Sequence, residues 1–217
     1  MSKAKVIAVS VSPPREVVWN GRTVLTSIFK TPVSGRRAVR RLNIDGDEQS
    51  DLTVHGGVDK AVYVYPSEHY SFWKEQLPGV DLPWGSFGEN LTTEGVMDDQ
   101  MRIGDRLRIG SAEFTVTQPR IPCFKLGIRF GDQKMVKRFL KARRPGFYLR
   151  VDKEGELGAG DSIELLAAEP DSISVVEVTN LYDSAAPDRE LLRRAMQLQS
   201  LPSGWRDYFT KRVSAAG

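Results

Sequence analysis

The chain has 217 residues and a single cysteine, Cys123, set in "QPRIPCFK" (118–125) between two prolines, an arginine and a lysine. Pro119 and Pro122 each fix φ, so the thiol rides on a stiff segment. Arg120, Lys125 and Arg129 flank it in sequence, and positive neighbours favour a thiolate. Thiolates attack electrophiles and bind soft metals. Three roles stay open on the residues alone: an inert packed residue, a nucleophile paired with His55, or a single protein ligand to a metal whose other donors come from a cofactor. Two histidines and one cysteine are too few for a Cys/His zinc cage.

Other segments carry polar groups that chemistry can use. "VHGGVDK" (54–60) offers His55, the close backbone approach of Gly56 and Gly57, and the charges of Asp59 and Lys60. The plainer account of it is a tight turn with a solvated lysine. "GSFGENL" (85–91) supplies Gly85, Gly88 and the donor and acceptor of Asn90, either in a binding loop or at a helix N-cap. "RRAVRR" (36–41) holds Arg36, Arg37, Arg40 and Arg41, which make either a solvated face or a phosphate clamp. Arg143 and Arg144 precede a Pro-Gly turn. His69 falls off the Tyr70, Trp73 and Leu77 face of its predicted helix and reads as a surface histidine.

The elements that must position these groups are mostly strands. "KVIAVSVS" (5–12), "EVVWNGRTVLTSIF" (16–29, with a type I′ turn at Asn20-Gly21), "KAVYVY" (60–65), "RLRIGSAEFTVTQ" (106–118), "GFYLRV" (146–151) and "DSIELL" (161–166) have strand patterns. Helices are predicted over 66–77, opened by Pro66, and over 132–143, capped by Asp132. Beyond Pro170 three short helices follow: one with a Ser174/Glu177 capping box, one opened by Pro187 and one capped by Ser203. The expectation is a mostly β (α+β) fold with a barrel-like β domain over 1–167 and a small three-helix domain over 168–217 that packs on it. Apolar content of 40% and charged content of 27% fit a globular chain, and no apolar run approaches the roughly 18–20 residues of a membrane span. No signal peptide is evident, and one cysteine suits a reducing cytoplasm. A net charge of +3 and a pI of about 9.0 permit anionic ligands without requiring nucleic acid.

Taken together, "NIDGDEQSDLTVHGGVDKAVYVY", "WGSFGENLTTEGV", "RIGDRLRIG", "VTQPRIPCFKL" and "RRPGFYLRV" resemble, in order and spacing, the MOSC domain, the molybdenum cofactor sulfurase C-terminal domain. The helical tail resembles the small domain attached to YiiM-like members. The resemblance implies a barrel-like β core that binds the molybdenum cofactor (Mo-molybdopterin), with Cys123 as the protein ligand to the metal. It makes Arg36, Arg37, Arg40, Arg120 and Arg144 candidates for the pterin phosphate. Gly56, Gly57, Asp59, Lys60, Gly88 and Asn90 become candidate cofactor contacts, and His55 a proton donor as well as a contact. The implied reaction is reduction of N-hydroxylated compounds: hydroxylaminopurine-type bases, hydroxylamines or amidoximes. The chain has no nucleotide-binding glycine motif and no cysteine set for an iron–sulfur cluster, so electrons are expected from a separate flavin or iron–sulfur reductase. The alternative is a sulfur carrier working through a Cys123 persulfide. A nucleic-acid role for the basic final helix is the least favoured reading, and a homodimer is compatible with the sequence.

Overall fold

The computed structural model describes residues 4–50 and 56–215. Twelve strands and six helices follow one another along these residues. The strands are β1 (Lys5–Val11), β2 (Arg15–Trp19), β3 (Arg22–Thr26), β4 (Thr31–Val33), β5 (Arg37–Val39), β6 (Val62–Pro66), β7 (Leu91–Glu94), β8 (Arg106–Ile109), β9 (Ala112–Pro119), β10 (Phe147–Lys153), β11 (Gly155–Leu157) and β12 (Ile163–Ala167). The helices are α1 (Glu68–Gln76), α2 (Phe124–Phe130), α3 (Lys134–Ala142), α4 (Val175–Asp183), α5 (Arg189–Gln197) and α6 (Ser203–Ala215). None of the helices among the described residues is long and apolar enough to cross a membrane.

Eight strands form one sheet in the order β12-β8-β9-β10-β6-β7-β1-β4. Only β6 and β7 run parallel, joined by the crossover that carries α1. The two ends of the sheet then meet. Lys5 bridges Ser162, the Val6 N–H donates to the Asp161 carbonyl at 2.9 Å, and the Ile163 N–H donates to the Ala4 carbonyl at 2.9 Å. Thus β12 covers the first half of β1 while β4 covers Val9–Val11. The sheet closes into a barrel, and the unpaired edges of an open sheet are largely removed.

Local chemistry explains the elements. Every residue of β6 is buried, as its continuous apolar run requires of a central strand. In β8 Leu107 and Ile109 point inward and Arg106 and Arg108 outward, the period of two. Asn20 (φ 50°) and Gly21 (φ 75°) make the left-handed pair of a type I′ turn between β2 and β3. That hairpin is a separate two-stranded sheet, with Val18 and Leu25 exposed. At α4 the predicted capping box is present: the Glu177 N–H donates to Ser174 Oγ at 3.1 Å, and the Ser174 N–H donates to the Glu177 carboxylate at 2.6 Å.

The apolar core continues from the barrel into the terminal helices. Val116, Phe114, Ile103 and Leu149 join Val175, Val178, Leu192 and Phe209 in one buried cluster, each side chain contributing about 1.5–3 kcal/mol. A second cluster lies under α1 and α3, where Trp73 stacks on Phe139 at 5.7 Å and donates its indole N–H to the Tyr65 hydroxyl at 2.7 Å.

Several boundaries differ from the sequence reading. Pro66 closes β6 instead of opening α1, whose N-cap is Ser67. Asp188 caps α5 through its carboxylate, one residue after Pro187. Gln133, not Asp132, is the N-cap of α3, and Ser203 lies inside α6. Asn90 leads into strand β7, so no helix starts there. Helix α2 was not expected; its single turns of apolar pattern are too few to stand out as periodicity.

Candidate functional site

The segment 120–123 links the end of β9 to the start of α2, and Cys123 is the N-cap of that helix, in extended backbone (φ −119°, ψ 177°). Pro119 before the segment and Pro122 within it leave little freedom, and the Leu126 N–H donates to the Cys123 carbonyl at 2.9 Å. The thiol is half-buried. The Gly146 carbonyl accepts from the Arg120 N–H at 3.4 Å; Gly146 has φ 64° and a Cβ there would come within 2.4 Å of the Val64 carbonyl, so only glycine lets β10 enter beside β6.

Cys123 opens onto a cleft of about 120 Å³. Its walls carry three buried cations, Lys30, Arg120 and Lys125, and two tyrosines, Tyr63 and Tyr148. Lys30 is held by Asp47, which also accepts from the Ser12 N–H at 2.9 Å and from the Asn90 amide at 2.8 Å. Burial pushes the Lys30 ammonium down, against the pull of Asp47. Lys125 donates to Ser50 Oγ at 3.0 Å. Arg120 lies 5.3 Å from the Tyr63 ring centroid and 5.2 Å from that of Phe139. Among the described residues its Nη1 has no hydrogen-bond partner, and Ser27 Oγ on the same cleft has none either. Burial opposes the Arg120 charge, but Tyr63, Tyr148 and the Cys123 thiol favour it, and the balance leaves it above its ordinary value. Burial likewise pushes the Tyr148 phenol up, so it holds its proton.

Two further recesses share these walls. One of about 230 Å³ is lined by Cys123, Tyr148, Lys60, Gln118 and Trp205. The other, of about 620 Å³, lies between Gly56–Lys60 and the helical segment, with Tyr182, Trp205 and Tyr208. Lys60 is a wall of all three. Gly57 sits at φ 101°, ψ 171°, a backbone open to glycine alone, and its N–H donates to Gln49 Oε1 at 2.7 Å. The Trp205 indole donates to Gln118 Oε1 at 2.7 Å, tying the last helix to the barrel at the site.

The expected site residues therefore separate into groups. Cys123, Arg120, Gly88, Asn90 and Lys60 line the first cleft, while Gly56, Gly57 and Asp59 line the wide recess. Asn90 is already engaged: its Oδ1 accepts from the Tyr63 N–H at 3.0 Å and its amide bonds Asp47, so it braces the cleft. Asp59 is bound by Arg150 at 3.4 Å. The basic run does not reach these walls. Arg36 makes a two-pronged pair with Asp161 (3.0 and 3.1 Å), Arg40 pairs with Asp45 at 3.2 Å, and Arg37 donates to the Ser34 carbonyl at 3.4 Å. Arg144 lies over Phe72 at 4.7 Å and donates to His69 Nδ1 at 3.2 Å, also away from the three recesses. His69 itself is buried at 2% exposure, with Asp98 on its other nitrogen, because α1 turns that side under the barrel strands. His55 lies outside the described residues. Lys30, Asp47 and Tyr148 were not singled out from sequence, although Asp47 and Tyr148 fall inside the motif stretches quoted above.

Among the described residues no three His, Cys, Asp or Glu side chains gather to hold a metal. A metal at Cys123 would thus not sit in a cage of three such side chains from the described residues. The unbonded Arg120 Nη1 and the buried Lys125 ammonium suit an anionic chelate, so the residues present fit a phosphorylated, metal-bearing cofactor.

Comparison with known proteins agrees with this architecture. The MOSC domain model matches residues 51–164, and the YiiM-like 3-alpha helix domain matches residues 173–216. The chain belongs to the MOSC domain family, with a YiiM-like helical domain at its C-terminal side. It is 37% identical over 207 residues to YflK of Bacillus subtilis, covering 95% of this chain and 93% of that one. It is 31% identical to YiiM of Escherichia coli, over 86% of this chain and 84% of that one. The crystal structure of YiiM from Geobacillus stearothermophilus superposes with a TM-score of 0.82 at 30% identity, over 97% of this chain and 99% of that one. A protein of Gibberella moniliformis named a reductase is 34% identical over 82% of this chain, which spans 32% of that protein.

Proposed function

We propose that the chain is a molybdenum-cofactor-dependent reductase of N-hydroxylated compounds. The observation that carries this reading is the buried Arg120, with an unbonded nitrogen, beside the lone half-buried thiol of Cys123. A guanidinium removed from water without an anionic partner costs several kcal/mol, and a cofactor anion would supply that partner. Cys123 would hold the metal, with Arg120 and Lys125 meeting the anionic part of the chelate. When bound, the cofactor supplies the two-electron redox chemistry by which an N–OH group loses oxygen. The overall balance is R–NHOH plus two electrons and two protons giving R–NH2 and water. A separate flavin or iron–sulfur reductase delivers the electrons.

The chain's own part is positioning and proton supply. Tyr148 borders both recesses that Cys123 opens onto, and burial keeps its hydroxyl protonated. It is the residue on these walls best suited to hold a proton for the leaving oxygen. Lys30, Asp47 and Asn90 fix the opposite wall. The reductase name of the fungal relative supports the same reaction class.

The test is expression in cells able to make the cofactor, followed by elemental analysis and dye-linked reduction of hydroxylaminopurine. Near-stoichiometric molybdenum is expected in the wild type and loss of at least nine-tenths of it in Cys123→Ala. A metal-free, pterin-free wild type carrying an extra sulfur on Cys123 would overturn the reading in favour of a sulfur carrier.

A further inference from the structure

The 620 Å³ recess has a different chemistry from the cleft beside Cys123. Three aromatic side chains of the helical segment, Tyr182, Trp205 and Tyr208, face it across the backbone turn at Gly57 and Val58. Among the described residues its charged lining groups are Asp59 and Lys60, one of each sign. The narrow cleft instead sets four cations, Lys30, Lys60, Arg120 and Lys125, against the carboxylates of Asp47 and Glu48. An anionic head belongs in the narrow cleft, and a neutral flat body belongs in the wide recess. Its size lies within the roughly 300–1,000 Å³ of small-molecule pockets.

The aromatic wall is organised in advance. Trp205 is fixed by its bond to Gln118, whose own amide donates to the Asp59 carbonyl at 3.2 Å. Tyr182 meets Trp205 at 5.6 Å and Tyr208 at 5.4 Å. Tyr208 stays 37% exposed although its neighbour Phe209 is fully buried, so the tyrosine ring is not spent on the core. Trp205 also borders the 230 Å³ recess that includes Cys123. One indole is therefore a shared wall of the wide recess and of the recess that holds the thiol.

We infer that the three-helix segment supplies the substrate-specificity wall, and that the wide recess takes an uncharged, planar heteroaromatic ring packed against the aromatic wall of Trp205, Tyr182 and Tyr208, with its N–OH group directed along Trp205 towards Cys123. This rests on the reductase reading for the identity of the reacting group. It excludes substrates that carry a polyphosphate at the ring end, because no surplus of cations among the described residues lines the recess. A free base or nucleoside is accepted there and a nucleoside triphosphate is not.

The experiment compares wild type with Tyr208→Ala and Trp205→Phe, all loaded with cofactor, and reads two things. Calorimetry measures the affinity for adenine, a flat product analogue. Kinetics give the ratio of kcat/KM for hydroxylaminopurine to that for hydroxylamine, which has no ring. Loss of one stacking face weakens base binding by about 1–3 kcal/mol, so Tyr208→Ala should raise the adenine Kd and lower the kcat/KM ratio by about tenfold. Trp205→Phe keeps a ring but loses the tie to Gln118, and should lower the ratio several-fold. Adenine binding unchanged in both variants, or equal losses for both substrates, would overturn the recess assignment while leaving the reductase reading standing. Wild type that binds adenine through Tyr208 but reduces neither substrate would sink the reductase reading and keep the recess.

Discussion

Asp47 is the one carboxylate that ties the cleft wall together, and its removal has a calculable consequence. The carboxylate is 5% exposed and its partner Lys30 8% exposed, and it also accepts from the Ser12 N–H and the Asn90 amide. In Asp47→Leu the Lys30 ammonium is left buried without its counter-charge, a loss of about 3–5 kcal/mol for a pair broken on one side. Two orphaned donors add about 1–3 kcal/mol each where no water reaches them. Lys30 can relieve part of this by shedding its proton, which burial already favours. A net loss of about 4 kcal/mol follows, or roughly 8–16 °C in Tm at the 2–4 °C per kcal/mol of a domain this size. The double variant Lys30→Met/Asp47→Leu removes both charges and should recover about half of that loss. Urea and thermal unfolding of the cofactor-free protein measure all three. A loss under about 1 kcal/mol in Asp47→Leu, or a double variant no more stable than Asp47→Leu, would refute the reasoning.

Glu89 is fully buried, and although Tyr70, Thr92 and two backbone N–H groups bond it, burial raises its carboxyl above the ordinary value. The folded state then binds this proton more tightly than the unfolded state, so the site's contribution is present at low pH and lost as pH rises through the raised value. Wild-type stability should accordingly fall more steeply than that of Glu89→Gln as pH rises above the ordinary carboxyl value, as read by urea midpoints at a series of pH values. Tyr148→Phe should lower kcat for hydroxylaminopurine by about 10²-fold, with molybdenum content retained, if the phenol supplies the proton. Ser174→Ala should cost about 1 kcal/mol through the lost cap, seen as a lower Tm with unchanged molybdenum binding.

The strand-rich fold was legible because its signals are local. The buried run of β6, the alternation of β8 and the left-handed Asn20-Gly21 turn each state their geometry within a few residues. The rigid Cys123 segment was legible for the same reason. What the sequence hid was partnership across the chain. Four arginines in six residues resemble a phosphate clamp, yet Asp161 and Asp45 take two of them, and Asp161 lies far away in sequence. His69 looked exposed because its helix face was judged only against Tyr70, Trp73 and Leu77, whereas Asp98 approaches from another loop. Lys30 gained its role from Asp47 and Asn90, which no spacing rule connects.

The bridge between Lys5 and Ser162 sets an order of events during synthesis. The first strand leaves the ribosome early but cannot find its closing partner until some 155 further residues have followed. Until then its flank is open to other chains, and a non-local pairing of this span forms slowly. The helices that wall the wide recess follow the barrel strands in the chain. The barrel strands that frame the thiol segment are therefore synthesised before the aromatic wall of the wide recess.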